Sequence, residues 1–284
     1  MKASKIIACT MLAALGACMA SFSRPSCCAA VEPGRVDSLT VESALLPQPM
    51  RVNVALPAQY LAEADTASYP VVYLLNGHGG NCNNWGGIVP LDSIASAYGM
   101  IIVTPSGMTS WYFDAPAKPE MQMESFIIRE LVPFIDATYR TRPEREARAV
   151  TGFSMGGHGA LWLAIRHPEV FGSAGSSSGG VDFTPFPKKW NLPDMLGEAK
   201  ANADVWRSHT VMSQLDKLEP GEINIIFDCG TSDFFYGVNC ALDSALNARG
   251  IYHTYITGPG THNGEYWRRA VYPQLDMFKS VFSK

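Results

Sequence analysis

Charge is scarce in this chain. Only 17% of its 284 residues are Asp, Glu, Lys or Arg, and 22 basic residues face 26 acidic ones. A formal net charge of -4 leaves no basic field to neutralise a phosphate backbone, which argues against nucleic acid as a partner. With 47% apolar residues the chain is equally unlike a disordered one. No CxxC pair and no Cys/His cluster is present, so no metal site is expected. Four of the seven cysteines (Cys9, Cys18, Cys27, Cys28) fall in the first thirty residues. Cys82, Cys229 and Cys240 remain, an odd set in which at least one has no intramolecular partner. Internal repeats and low-complexity linkers are absent as well.

A long apolar run occurs at the start. Lys2 and Lys5 precede IIACTMLAALGACMASF, and small residues follow. Residues 1–30 therefore read as a secretory signal, with a secreted or periplasmic protein as the expectation. The run from Ile6 to Ser23 is only marginally long for a membrane span. Leu15-Gly16-Ala17-Cys18 also resembles a lipoprotein box, so a lipid anchor at Cys18 is the alternative; without it no membrane partner is expected.

Residues 31–284 read as one domain. SLTVES and MRVNVAL alternate apolar and polar residues, as paired opening strands do. Val71–Asn76, Met100–Pro105, Ala147–Gly152, Ile223–Asp228 and Tyr252–Thr257 are short, nearly continuous apolar runs, each ending in loop residues. Such runs suit strands covered on both faces. Helical patterns lie between them: Ser125–Tyr139, the run HGALWLAIRHP, VNCALDSALNARG closed by Gly250, and a last helix that Pro273 should restart or kink. The alternation predicts an α/β fold with a mostly parallel central sheet and helices on both faces. The segment 180–222, rich in Pro and aromatics, reads as a small cap-like insertion.

The chemistry concentrates at Gly152-Phe153-Ser154-Met155-Gly156. This is G-x-S-x-G between a strand and a helix, the setting of a nucleophile elbow. Ser154 needs a base. His262 qualifies, because GPGTHNGEYW is a glycine-rich loop between the last strand and the last helix. His158, His167, His209 and His253 read better as packing or surface residues. In DCGTSDFF the acid is Asp228 or Asp233; Asp233 is chosen because it lies farther into the loop and can reach over the sheet edge. The oxyanion donors are expected to be the backbone N–H of Met155 and that of His78, with Gly79 the neighbouring possibility.

These motifs resemble the esterase D-like and tributyrin-esterase-like α/β-hydrolases, close to carbohydrate esterase family 1. The resemblance runs from about Val36 to Phe282, through VVYLLNGHGGNCNNW, SWYFDAP, ESFIIRELVPFIDATYR, TGFSMGGHGAL, DCGTSDFF and GTHNGEYW. It implies an α/β-hydrolase fold and a serine esterase that needs no cofactor, cleaving acetyl or feruloyl esters. It assigns nucleophile, acid and base to Ser154, Asp233 and His262. One departure is Asn76-Gly77, where many relatives have His-Gly; altered loop hydrogen bonding is expected there. Export suggests an oligosaccharide ester as substrate, with Trp85, Trp111 and Tyr236 as the expected binding aromatics and plain packing as the other reading of such loop aromatics. A short-chain acyl esterase, a formyl-thioester hydrolase, an acyltransferase like the antigen 85 mycolyltransferases, and a non-catalytic carbohydrate-binding protein are the alternatives.

Overall fold

The computed structural model describes residues 33–62 and 66–284. The expectations placed on residues 1–30, the signal sequence and a lipidated Cys18, lie outside the described residues. β1 (Arg35–Val41) and β2 (Met50–Leu56) form an antiparallel pair, with Arg35 opposite Leu56 and Val41 opposite Met50. The first strand therefore starts before Ser38, where the alternating pattern begins. After α1 (Ala58–Ala62) the chain enters β3 (Val71–Leu75), α2 (Asn84–Ile88), α3 (Leu91–Tyr98) and β4 (Ile101–Pro105). α4 (Met123–Phe126) continues through a π turn at Ile127–Leu131 into α5 (Val132–Thr138). β5 (Arg148–Gly152), α6 (Met155–Arg166) and β6 (Ser173–Ser177) follow, then α7 (Leu192–Leu196) and α8 (Ala203–Ser208). β7 (Asn224–Gly230), α9 (Tyr236–Ala248), β8 (His253–Gly258) and α10 (Gly264–Phe282) complete the order.

The eight strands lie in the order β1-β2-β4-β3-β5-β6-β7-β8, and from β4 to β8 every pairing is parallel. β2 joins antiparallel to β4. β3 stands between β4 and β5, so the chain reverses its direction of winding there. In open α/β sheets such a reversal leaves a crevice above the strand ends where ligands bind.

Strand residues alternate between two apolar layers. Val71, Tyr73 and Leu75 join the layer that holds α6, whereas Val72 and Leu74 join the layer of α3 and α10. Each fully buried aliphatic side chain contributes roughly 1.5–3 kcal/mol. The segment 180–222 shares the first layer through Val181, Phe183, Leu192, Met195, Trp206 and Leu215.

One strand was not anticipated, and the last helix is not restarted. β6, Ser-Ala-Gly-Ser-Ser, is fully buried although it has no large apolar residue. Its neighbour α6 lies too close for anything larger: a Cβ on Gly157 would stand 2.6 Å from Ser176 Oγ. α10 runs unbroken through Pro273. Proline removes one backbone donor there, and the carbonyl left over belongs to exposed Arg269. Among the described residues no helix is long and apolar enough to cross a membrane.

Candidate active site

β5 ends at Gly152 and α6 begins at Met155, which leaves two residues for the turn. Ser154 carries the strain of that turn, with φ 58° and ψ -120°. A conformation of this kind costs about 1–3 kcal/mol and persists only where its surroundings enforce it. The enforcing contacts are backbone. Ser154 N–H donates to Ser177 O at 2.9 Å, and Gly156 N–H donates to Phe153 O at 2.8 Å. A Cβ on Gly152 would meet the Gly156 carbonyl carbon at 2.5 Å, and one on Gly156 would meet Leu75 O at 2.3 Å. Only glycine fits at either position.

His262 arrives from the loop between β8 and α10. Ser154 Oγ lies 2.9 Å from His262 Nε2, and His262 Nδ1 lies 2.8 Å from Asp233 Oδ2. Asp233 is held in turn, since Phe235 N–H donates to its Oδ1 at 2.8 Å. The Asp233 carboxylate is 0% exposed and the His262 side chain 16%. Asn263 caps α10 by accepting from Tyr266 N–H at 3.0 Å, which fixes the start of the helix right behind His262.

The competing acid, Asp228, is occupied elsewhere. It is buried within β7, where Gln274 Nε2 donates to Oδ2 at 2.6 Å and Ser177 Oγ donates at 2.9 Å. The Tyr266 hydroxyl also faces this carboxylate. Burial outweighs those hydrogen bonds and pushes its pKa up to about 7. Asp228 and Gln274 thus lie inside the sheet–helix interface, under the loops that bring the triad together.

The two expected oxyanion donors stand just beyond the ends of two neighbouring strands, β5 and β3. Met155 N–H precedes the first helical bond of α6 and has no acceptor among the described residues, and neither has His78 N–H. Gly79 N–H is already given to Met108 O at 2.6 Å, so it drops out as the second donor. The His78 ring, half-buried and with its pKa lowered by that burial, faces Asn191 Oδ1 at 3.0 Å. Asn76 does the work of the loop. Its Oδ1 accepts from Gly107 N–H at 2.8 Å, its Nδ2 donates to Gly77 O at 2.7 Å, and its own N–H donates to Tyr112 OH at 3.0 Å.

Among the described residues the non-glycine positions with left-handed φ are Met108, Trp111, Tyr112, Ser154, Ser178, Trp190 and Asn191. All stand on segments that follow β4, β5 or β6, at the site's end of the sheet. Strain gathers where function is expected.

The aromatics anticipated as binding residues divide differently. Trp85 is 1% exposed; its Nε1 donates to Leu75 O at 3.0 Å and its ring packs edge-on to Phe153. It offers no face to a ligand. Trp111 is also 1% exposed, because its Nε1 is tied to Trp190 O at 3.1 Å and its ring fills the space beside Gly180. Both are core residues behind the site. Tyr236 opens α9 and is partly exposed. A residue overlooked in the sequence is Phe234, which is 50% exposed with its ring 4.3 Å from that of His262. Its signal was its place directly after Asp233. His158 is fully buried, with its ring nitrogens 3.1 Å from Trp111 O and 3.0 Å from His209 O. Burial pushes its pKa down to about 4, so it is a packing residue and no rival to His262. Cys82, Cys229 and Cys240 are all free, and no group of His, Cys, Asp and Glu among the described residues is arranged to hold a metal.

Comparison with known proteins points the same way. Residues 43–277 match the Esterase family. An esterase of Mycobacterium tuberculosis is 38% identical over 133 residues, which are 45% of this chain and 28% of that protein. The chain thus spans little more than a quarter of the length of that relative. An acetyl esterase of Caldicellulosiruptor saccharolyticus is 26% identical over 239 residues, covering 78% of this chain and 88% of its own. In three dimensions a ferulic acid esterase superposes with a TM-score of 0.75 at 25% identity, covering 88% of this chain and 100% of the other. With its eight-stranded sheet and this match over nearly its whole described length, the chain belongs to the Esterase family of α/β-hydrolases.

Proposed function

We propose that this protein is a serine carboxylesterase that cleaves acyl esters, acetyl or feruloyl, through an acyl-enzyme on Ser154. The observation that carries the reading is the unbroken relay of 2.9 Å from Ser154 to His262 and 2.8 Å from His262 to Asp233. A hydroxyl is a weak nucleophile until a base removes its proton. His262 Nε2 takes that proton as Ser154 Oγ attacks the ester carbonyl. Asp233 keeps the other proton on Nδ1, so the lone pair faces the serine, and it stabilises the imidazolium that forms. The developing oxyanion lies between the N–H groups of Met155 and His78, each worth about 3 kcal/mol in the transition state. The alcohol departs with the proton from Nε2; water then repeats the sequence and frees the acid.

The family relatives support ester cleavage, since they include proteins named for acetyl ester and ferulic acid ester hydrolysis. The leader-like residues 1–30 support export, and with it a polysaccharide fragment from plant material as the alcohol side. The test is hydrolysis of p-nitrophenyl acetate, methyl ferulate and acetylated xylan oligomers by the wild type and Ser154→Ala. Turnover by the wild type and its near-complete loss in the variant is the expected result. Binding of oligosaccharide without turnover by either protein would favour a non-catalytic carbohydrate-binding role.

A further inference from the structure

A half-exposed phenyl ring beside a catalytic base calls for an explanation. Phe234 is one of six exposed large apolar side chains among the described residues, at 50% exposure. It is not loose. Its ring stacks on Trp190 with centroids 5.7 Å apart and planes 21° apart, and it tilts against Phe235 at 4.7 Å. Phe186 closes the group edge-on at 6.3 Å. Trp190, which backs the ring, holds a left-handed φ of 53°, a costly setting for a bulky side chain. The side of Phe234 turned to the site meets His262 at 4.3 Å.

The chemistry of the proposed reaction decides which part of the substrate lies there. When the tetrahedral intermediate collapses, the ester C–O bond breaks and its electron pair stays on the alcohol oxygen. That oxygen takes the proton which Ser154 gave to His262 Nε2. The alcohol must therefore leave past the His262 ring, and of the three aromatic rings packed on His262 (Phe234, Phe235 and Trp267) Phe234 is the exposed one. We infer that Phe234, backed by Trp190, is the specificity-determining seat of the leaving alcohol and that it stacks on a sugar ring. This rests on the ester-hydrolase reading of the same site. A sugar suits the seat for two reasons. Its ring has an apolar C–H face that matches a flat aromatic ring, and its hydroxyls need polar neighbours. Thr231 and Ser232, both exposed, precede Phe234 in its own loop. A long acyl or alkyl alcohol would want an enclosed apolar slot instead.

The test compares two esters of one acid that differ in the alcohol alone. Methyl ferulate is paired with feruloyl-arabinose, and methyl acetate with an acetylated methyl xyloside, in the wild type, Phe234→Ala, Phe234→Leu and Phe234→Trp. The ratio of kcat/KM for the sugar ester to that for the methyl ester should fall about tenfold in the Ala variant, mainly through KM. Leu should fall nearly as far, because it restores bulk without a π face, and Trp should keep the ratio. Equal losses on both esters would overturn the inference and make Phe234 a support for His262. An unchanged ratio in all variants would overturn it too. If the wild type cleaves no ester of either pair, the hydrolase reading fails first and this one falls with it.

Discussion

The helix Met155–Arg166 has two unlike ends. Its N-terminal end carries Ser154 in a strained turn, with glycines packed on backbone, two N–H groups nearby without acceptors, and an uncharged first turn. Its C-terminal end, about 18 Å away by helical rise, is dense with satisfied charge. There Glu124, 8% exposed, accepts from Arg166 Nε at 2.7 Å, from Trp162 Nε1 at 2.8 Å, and pairs with His167 Nε2 at 2.8 Å. The Arg166 guanidinium also lies over the Trp162 ring at 4.6 Å. A cavity of about 480 Å³ opens at this charged end, lined by Trp162, Arg166, His209 and Lys217 among others. The difference is one of purpose. A partnered polar cluster anchors one end of the helix, and the other end holds the strained turn that presents the proposed nucleophile, Ser154.

Substitutions at the two ends should therefore separate activity from stability. The largest effect is expected at the reactive end. Ser154→Ala should lower kcat by about 10⁴–10⁶-fold and leave the thermal midpoint nearly unchanged or raised, since it removes no packing. Asp233→Asn should cost about 10³–10⁴-fold in kcat by presenting the wrong tautomer of His262, as judged from steady-state rates at neutral pH.

At the anchoring end the order reverses. Glu124→Ala leaves Arg166 and His167 without their shared partner, and equilibrium denaturation should show a loss of about 2–3 kcal/mol, discounted because Arg166 is part-exposed. Its kcat, measured well below the unfolding midpoint, should stay within about threefold. A kcat loss as large as that of Asp233→Asn would break the comparison. The same cluster predicts acid sensitivity. Burial alone would raise the Glu124 pKa, but hydrogen bonds from His167, Arg166 and Trp162 hold it at about 2, below its ordinary 4.5. A depressed carboxylate contributes stability that is present above the unfolded value and lost as pH falls through the folded one. Denaturation curves should shift down between about pH 4.5 and pH 2, and less so in Glu124→Ala.

Asp228 gives the smallest and most discriminating test. Its pKa is raised from 3.8 to about 7, so the folded chain holds a proton that the unfolded chain has lost. Stability from this group is full below about pH 4 and falls as pH rises towards 7. Asp228→Asn should remove that slope in denaturation curves taken at pH 5 and pH 8, with kcat within about threefold of wild type. A loss of activity matching Asp233→Asn would mean the two acids had been assigned the wrong way round.

Much of this was legible in the sequence because the physics was local. β3 is a continuous apolar run and β4 nearly so, and doubly covered strands leave that pattern. The elbow was legible because glycine at 152 and 156 is a steric requirement, visible without any partner. β6 was not, because its smallness answers α6, a neighbour that the strand's own residues do not announce. The roles of Trp85 and Trp111 were hidden for a related reason. An aromatic in a loop points to a ligand or to the core according to where its N–H finds an acceptor, and here both acceptors are backbone carbonyls inside the fold. Phe234 shows the reverse, a loop aromatic next to Asp233 whose own packing leaves half of it in water.

The central claim is that Ser154 becomes acylated with His262 as its base. Treating the protein with a fluorophosphonate and mapping the adduct by peptide mass spectrometry tests it most directly. One equivalent on the peptide containing Ser154 is expected, absent in Ser154→Ala and strongly slowed in His262→Ala, while Glu124→Ala labels at the wild-type rate. An adduct on another residue, or labelling of Ser154 that is indifferent to His262, would contradict the account.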